Sequence, residues 1–181
     1  ENFLQNKNFY LSLVGEHLFI TMVAITIAII VGVAVGVAIS EKRKIAGIVI
    51  SIVNVLYTIP SIALLGVLIS VTGIGNKTAI IALTLYALLP VVRSTYTGIV
   101  NIDEKIVEAS EAMGSTKFQT MYKVKLPLAF PVIFSAIRNM VTMTIALAGI
   151  ASFVGAGGLG VAIYRGITTN NANLLLIGSI L

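Results

Sequence analysis

Long uncharged apolar runs alternate with short charged stretches along this chain, and the run lengths match membrane crossings. Spanning about 30 Å of hydrocarbon as a helix takes roughly 20 apolar residues. Residues 18–40 meet that requirement without one charge, and residues 45–71 form a second uncharged run interrupted by Pro60. Residues 78–100 make a third, containing Pro90 and a lone Arg93, and residues 128–154 a fourth, with Arg138 and Asn139 inside it. A fifth begins at residues 174–181, where the sequence stops while still apolar. The pattern predicts an all-α membrane protein, residues 1–181 forming a single transmembrane domain of about five spans. The fifth is expected to be truncated and the natural protein to continue beyond Leu181; Glu1 in place of a Met implies at least a missing initiator. Residues 1–17 form a polar-to-amphipathic lead-in. Either Phe9, Leu13 and Leu18 lie along the interface or the segment is a mobile terminus.

Composition agrees with embedding. The chain is 57% hydrophobic and 10% charged, with a mean hydropathy of +1.03. A soluble globular protein carries about 25% charged residues. Zero cysteines exclude a disulfide framework, thiolate metal sites and a cysteine nucleophile. The single His17 cannot form a cluster, so no metal site and no catalytic residues are expected.

The net charge of +5 matters through its placement. Lys42, Arg43 and Lys44 follow the first run, and Lys105, Lys117, Lys123 and Lys125 follow the third. The intervening stretches carry Lys77 and Arg165. Basic loops stay cytoplasmic, which places both lysine-rich loops inside and the N-terminus outside. A nucleic-acid partner is not expected.

The long inner loop, residues 101–127, is patterned as two short helices. Asn101 with Glu104 is the expected N-cap pairing, and Ile106, Ala109 and Met113 make a narrow apolar stripe. Gly114 stands where a left-handed residue would end that helix. Thr116 with Gln119 offers a second cap, and Pro127 marks the return into the bilayer. Ala109 and Ala112 permit close approach to another protein's groove, with Glu108 and Glu111 at the rim. The alternative is a solvated connector.

Here the chain resembles a known family. Glu108-Ala109-Ser110, three residues, Gly114, nine residues and Val124-Lys125-Leu126-Pro127 reproduce a signature of bacterial ABC-importer permeases, Glu-Ala-Ala-x3-Gly-x9-Ile-x-Leu-Pro. The departures are Ser110 for Ala and Val124 for Ile. Residues 57–66 (YTIPSIALLG), 89–98 (LPVVRSTYTG) and 151–160 (ASFVGAGGLG) look like permeases of the osmoprotectant group. The resemblance implies a type I ABC importer permease. Glu108, Ala109, Ala112, Gly114, Leu126 and Pro127 would couple it to a separate ATPase, and transport would proceed by alternating access. It further implies a second permease copy or homologue, and an extracellular binding protein or fused binding domain. ATP and Mg would be held by the ATPase partner, and no cofactor by this chain, which lacks a Gly-x-x-x-x-Gly-Lys phosphate loop. The implied solutes are glycine betaine, carnitine, choline or ergothioneine. Methionine permeases share a similar glycine-rich end and the same loop.

Within the spans, Pro60 and Pro90 free backbone carbonyls, tolerable only beside protein or a wet cavity. Their helices are therefore candidates to line a pathway. Tyr57 and Tyr86 are candidates to flank it, since aromatic faces attract quaternary ammonium, or else serve in packing and anchoring. Arg93 and Arg138 are expected to snorkel or bond at an inner gate. Residues 155–160, with Gly157 and Gly158, are expected to form an external re-entrant turn or gate. A channel or secondary transporter is the competing class, although the spans lack the carboxylates that ion coupling uses.

Overall fold

The computed structural model describes residues 6–181, and every regular element among them is helical. The first helix, α1 (Lys7–Ser40), is continuous over 34 residues, about 50 Å at the α-helical rise. It includes most of the segment expected to be an interfacial lead-in. Tyr10 and Leu13 are buried against Ala162, Leu174 and Ile177, so one face of this end of α1 is core; of Phe9, Leu13 and Leu18, Leu18 alone is exposed. The helical periodicity of residues 7–17 is blurred in the sequence because apolar Leu11 lies on the exposed face, at 61% exposure.

A stripe of small residues explains how α1 packs. Ala24, Ala28, Gly32 and Gly36 recur every fourth residue and all are buried. They face α4 (Asn76–Val100), the centre of the bundle. A Cβ on Gly32 would lie 2.8 Å from Val91 Cγ1, and one on Gly36 would lie 2.5 Å from Thr95 Cβ. Small residues at this spacing let two backbones approach closely without hydrocarbon between them.

The second apolar run is two helices, α2 (Arg43–Thr58) and α3 (Ser61–Thr72), bent by 99° at a short break. The cause is local: Ile59 is extended (φ −68°, ψ 126°) because the residue before proline is driven from the helical region. Pro60 has no N–H with which to continue α2. Among the described residues, three helices are long and apolar enough to cross a membrane, or four if the bent pair counts as one crossing.

After the loop helix α5 (Glu104–Ala112) comes a rod of 38 residues, Lys117–Val154. It begins as α6 (Lys117–Thr120), widens into a π turn (Met121–Lys125), continues as α7 (Leu126–Leu147) and tightens into a 3₁₀ segment (Ala148–Val154). Gly155 (φ +69°) and Gly158 (φ +101°) then turn the chain into α8 (Gly160–Thr168). α9 (Ala172–Ile180) folds back on α8, capped by Asn171 Oδ1 accepting from Leu174 N at 3.1 Å. Gly178 sits where a Cβ would be 2.8 Å from Ala162 Cβ.

Many large apolar side chains are exposed, among them Ile30, Ile48, Val55, Val67 and Phe134. Apolar exposure on this scale would be anomalous in water. Around hydrophobic helices of these lengths it is the lipid-facing surface.

Candidate functional site

Two arrangements concentrate the chemistry of this chain: the loop surface between α4 and α7, and a cleft beside the broken α2–α3 pair. The loop begins where α4 ends. Asn101 N–H still bonds the Thr97 carbonyl at 3.1 Å, so Asn101 closes α4 instead of opening the next helix. Asp103 is the true N-cap of α5: its Oδ1 accepts from Lys105 N at 2.9 Å. That corrects the expected Asn101–Glu104 pairing. Both residue types cap well, and only the one with extended backbone can do so.

The far end of α5 closes in a Schellman turn. Gly114 is left-handed at φ +87°, its N–H bonds the Glu111 carbonyl at 2.9 Å, and Ser115 N–H reaches the Ser110 carbonyl at 3.2 Å. Thr116 and Gln119 then form a complete capping box, each side chain bonding the other's backbone N–H.

One buried contact fixes α5 to the bundle. Ser110 and Thr120 are both buried, and their hydroxyl oxygens lie 3.1 Å apart. Next to Thr120, Met121 is buried against Ile99, Ala129 and Ile133 of α4 and α7. Leu126 is half-buried on the same cluster, and Pro127 is exposed at the root of α7. Glu108, Ala109 and Ala112 are exposed, as are Ile106 and Met113, the latter at 82%. Phe118 and Tyr122 extend this surface, their rings 4.5 Å apart. Sequence reasoning missed both; their i, i+4 spacing was the available signal. It also treated Ser110 only as a departure from a pattern, whereas it is the buried anchor.

The two lysine-rich stretches share one end of the molecule. Lys42 at the end of α1, and Lys117 and Lys125 beside the π turn, line one polar recess. The glycine-rich turn is fastened to residues on the entry sides of α1 and α4. Gly158 N–H donates to Glu16 Oε2 and Gly157 N–H to Asn76 Oδ1, each at 3.1 Å. His17 Nε2 lies 3.0 Å from the Ile145 carbonyl oxygen, and Gly75 N–H bonds the Val154 carbonyl at 2.8 Å. Glu16, His17 and Asn76 had no sequence signal, because their partners are far away in the chain.

The cleft has a volume of about 300 Å³ and brings together Tyr57, Pro60, Tyr86 and Pro90. The two tyrosine rings meet edge to face, 5.8 Å apart at 66°. Tyr86 donates its hydroxyl to the Ile59 carbonyl, which Pro60 leaves outside the helix. Met140, Met143 and Thr144 of α7 form the opposite wall. Arg93 and Arg138 are both exposed elsewhere and line no part of this cleft. Gly157 and Gly158 belong to the turn described above, away from it.

The chain matches the family described as binding-protein-dependent transport system inner membrane component over residues 17–181. It is 40% identical to the carnitine transport permease protein OpuCD of Listeria monocytogenes, over 97% of this chain and 79% of that protein. It is 41% identical to the choline transport system permease protein OpuBD of Bacillus subtilis, over 98% of this chain and 79% of that protein. Its fold is similar to a chain of the MetNI methionine ABC transporter in an inward-facing conformation. That match has a TM-score of 0.84 and 30% identity, covering 94% of this chain and 86% of the other.

Proposed function

This chain belongs to the family of binding-protein-dependent transport system inner membrane components, and from that premise we propose that it is the permease subunit of an ATP-driven importer of quaternary-ammonium compatible solutes. The solute class is that of glycine betaine, carnitine, choline or ergothioneine. The reading is supported by a capped helix, α5, held outside the apolar bundle with its outer side exposed and its inner side bonded to the start of the α7 rod. Such a helix is built to sit in a partner's groove and pass displacement to the membrane helices.

In this proposal α5 docks on a separate ATPase that holds ATP and Mg. Glu108 and Glu111 meet charge at the groove rim, while Ala109 and Ala112 permit close approach. ATP-driven closure of two ATPases would then move two permease copies between outward- and inward-open states. The lysine-rich end faces the cytoplasm, as basic loops do, and the Glu16 end faces the binding protein. The setting is a bacterial cytoplasmic membrane.

The deciding experiment is purification of the full-length protein from its native membrane in mild detergent. An ATPase subunit should co-purify, and Glu108→Lys should remove it while the permease stays inserted. Absence of any ATPase from the wild-type preparation would overturn the proposal and favour a channel. The likeness to a methionine transporter supports a second solute, a free amino acid. Uptake competition between glycine betaine and methionine in vesicles separates the two.

A further inference from the structure

The cleft beside the α2–α3 break combines features that together point to a ligand. Its walls come from α2, α3, α4 and α7, and its volume of about 300 Å³ falls at the small end of the range for ligand pockets, about 300–1,000 Å³. Among the described residues that line it there is no Asp, Glu, Lys or Arg. A hard inorganic cation would find no carboxylate, and an anion no positive side chain. What the cleft offers is two tyrosine rings, two thioethers, the neutral hydroxyls of Thr58, Ser61 and Thr144, and backbone oxygen.

The tyrosines are held in place. Tyr86 is fixed at both ends, by its backbone in α4 and by its hydroxyl on the Ile59 carbonyl. Tyr57 stands edge-on to it and is 39% exposed, so its ring is open to the cleft mouth. Each proline withholds a helical donor from a nearby backbone carbonyl. Pro90 cannot donate to the carbonyl of Tyr86, four residues earlier. The last carbonyls of α2 lie at a helix C-terminus, whose partial charge is negative. Aromatic faces and carbonyl dipoles without a formal anion suit a large, weakly hydrated cation, and they bind it loosely enough to release it.

We infer that the Tyr57–Tyr86 cleft is a transit site for the quaternary-ammonium head of the solute, with Tyr57 as the entry face and Tyr86 as the fixed floor. This rests on the importer reading above. Met140 and Met143 supply a soft opposite wall that moves with α7. Because Met143 is more than half exposed, that wall is open on one side and the site is a passage instead of a closed pocket.

The test uses the complete importer, with its ATPase and binding protein, reconstituted in vesicles. Uptake of glycine betaine, carnitine and choline is measured beside that of methionine. Tyr57→Phe keeps the ring and should retain wild-type uptake. Tyr57→Leu and Tyr86→Leu should each lower uptake of the quaternary solute about tenfold. Met143→Lys places a cation in the cleft and should lower it at least as far, whereas Met143→Gln, of similar size, should not. The Met143 pair leaves the Tyr86 hydroxyl bond untouched, so it decides if a leucine variant fails to assemble. Wild-type transport of a quaternary solute with uptake unaltered by Met143→Lys would overturn the cleft assignment alone. Wild-type transport of methionine and of no quaternary solute would overturn the proposed function and this inference together.

Discussion

Gly36→Ala is the sharpest test of how the α1–α4 pair is built. A methyl group there would lie 2.5 Å from Thr95 Cβ, 2.8 Å from Thr95 Cγ2 and 3.0 Å from the Val92 carbonyl oxygen. Carbon atoms in contact sit about 3.5–4.0 Å apart, so about 1 Å of separation must be found. None of the atoms met is the free end of a flexible side chain: Thr95 Cβ is fixed to the α4 backbone, and Thr95 is fully buried. The helices must therefore part along the whole Ala24–Gly36 stripe. A radial gap of 0.5–1 Å forfeits about a quarter to a half of each contact's attraction, and overpacking of this kind costs about 1–3 kcal/mol. Alanine's better helix propensity returns about 1 kcal/mol. The net expectation is destabilisation by about 0–2 kcal/mol, which is about 1–3 kcal/mol worse than the same substitution in open space. Gly47→Ala is the control, because nothing lies within 4 Å of its added methyl; it should be neutral or stabilising by up to about 1 kcal/mol. Equilibrium unfolding in mixed detergent–SDS micelles, followed by helical circular dichroism, measures both. Gly36→Ala as stable as Gly47→Ala would refute the close approach. The cycle with Thr95→Gly should recover about 1 kcal/mol if the clash is with that side chain.

Three further outcomes follow from the loop surface and the glycine turn. Gly114→Ala places its methyl in open space but at φ +87°; it should cost about 1–2 kcal/mol locally and show as faster hydrogen exchange of the last-turn amides of α5. Ser110→Ala removes the hydroxyl that meets Thr120; a loss of about 0.5–1.5 kcal/mol should loosen α5 while leaving overall helix content unchanged by circular dichroism. Glu16→Ala takes the acceptor from the buried Gly158 N–H and should cost about 1–3 kcal/mol. Limited proteolysis should then cut residues 155–159 faster, and an unchanged rate would show the latch to be dispensable.

What is legible in the sequence follows the range of the forces involved. Apolar run length and the Pro60 break are local, so they are enough to place the helices, although not to set the angle at Pro60. Gly114 and the Thr116–Gln119 box are readable because a cap is settled within four residues. The choice between Asn101 and Asp103 is not, since it turns on where α4 stops bonding. The start of α1 is hidden for a related reason: Tyr10 and Leu13 are buried by α8 and α9, residues at the other end of the chain. The cleft is half-visible. Prolines and tyrosines mark it, but Met140, Met143 and Thr144 give no signal, and Arg93 and Arg138, exposed and outside the cleft, keep the snorkelling role expected of them as a proposal.

These pieces form one mechanical line. α5 is tied by Ser110–Thr120 to the first turn of the rod that ends at Val154, and Met121 embeds that turn against α4. The same rod carries Met140 and Met143 into the cleft wall, about 30 Å further along at the helical rise. The opposite wall, Tyr57 and Pro60, sits on α2 and its break, and α2 packs on α4 instead of α7. A displacement of α5 by an ATPase would therefore shift one wall relative to the other. On the proposed function, the π turn at Met121–Lys125 lies at the input of this lever, where a wider helical turn is easiest to deform. On the same proposal, the Tyr86–Ile59 bond would hold the wall against which α7 moves.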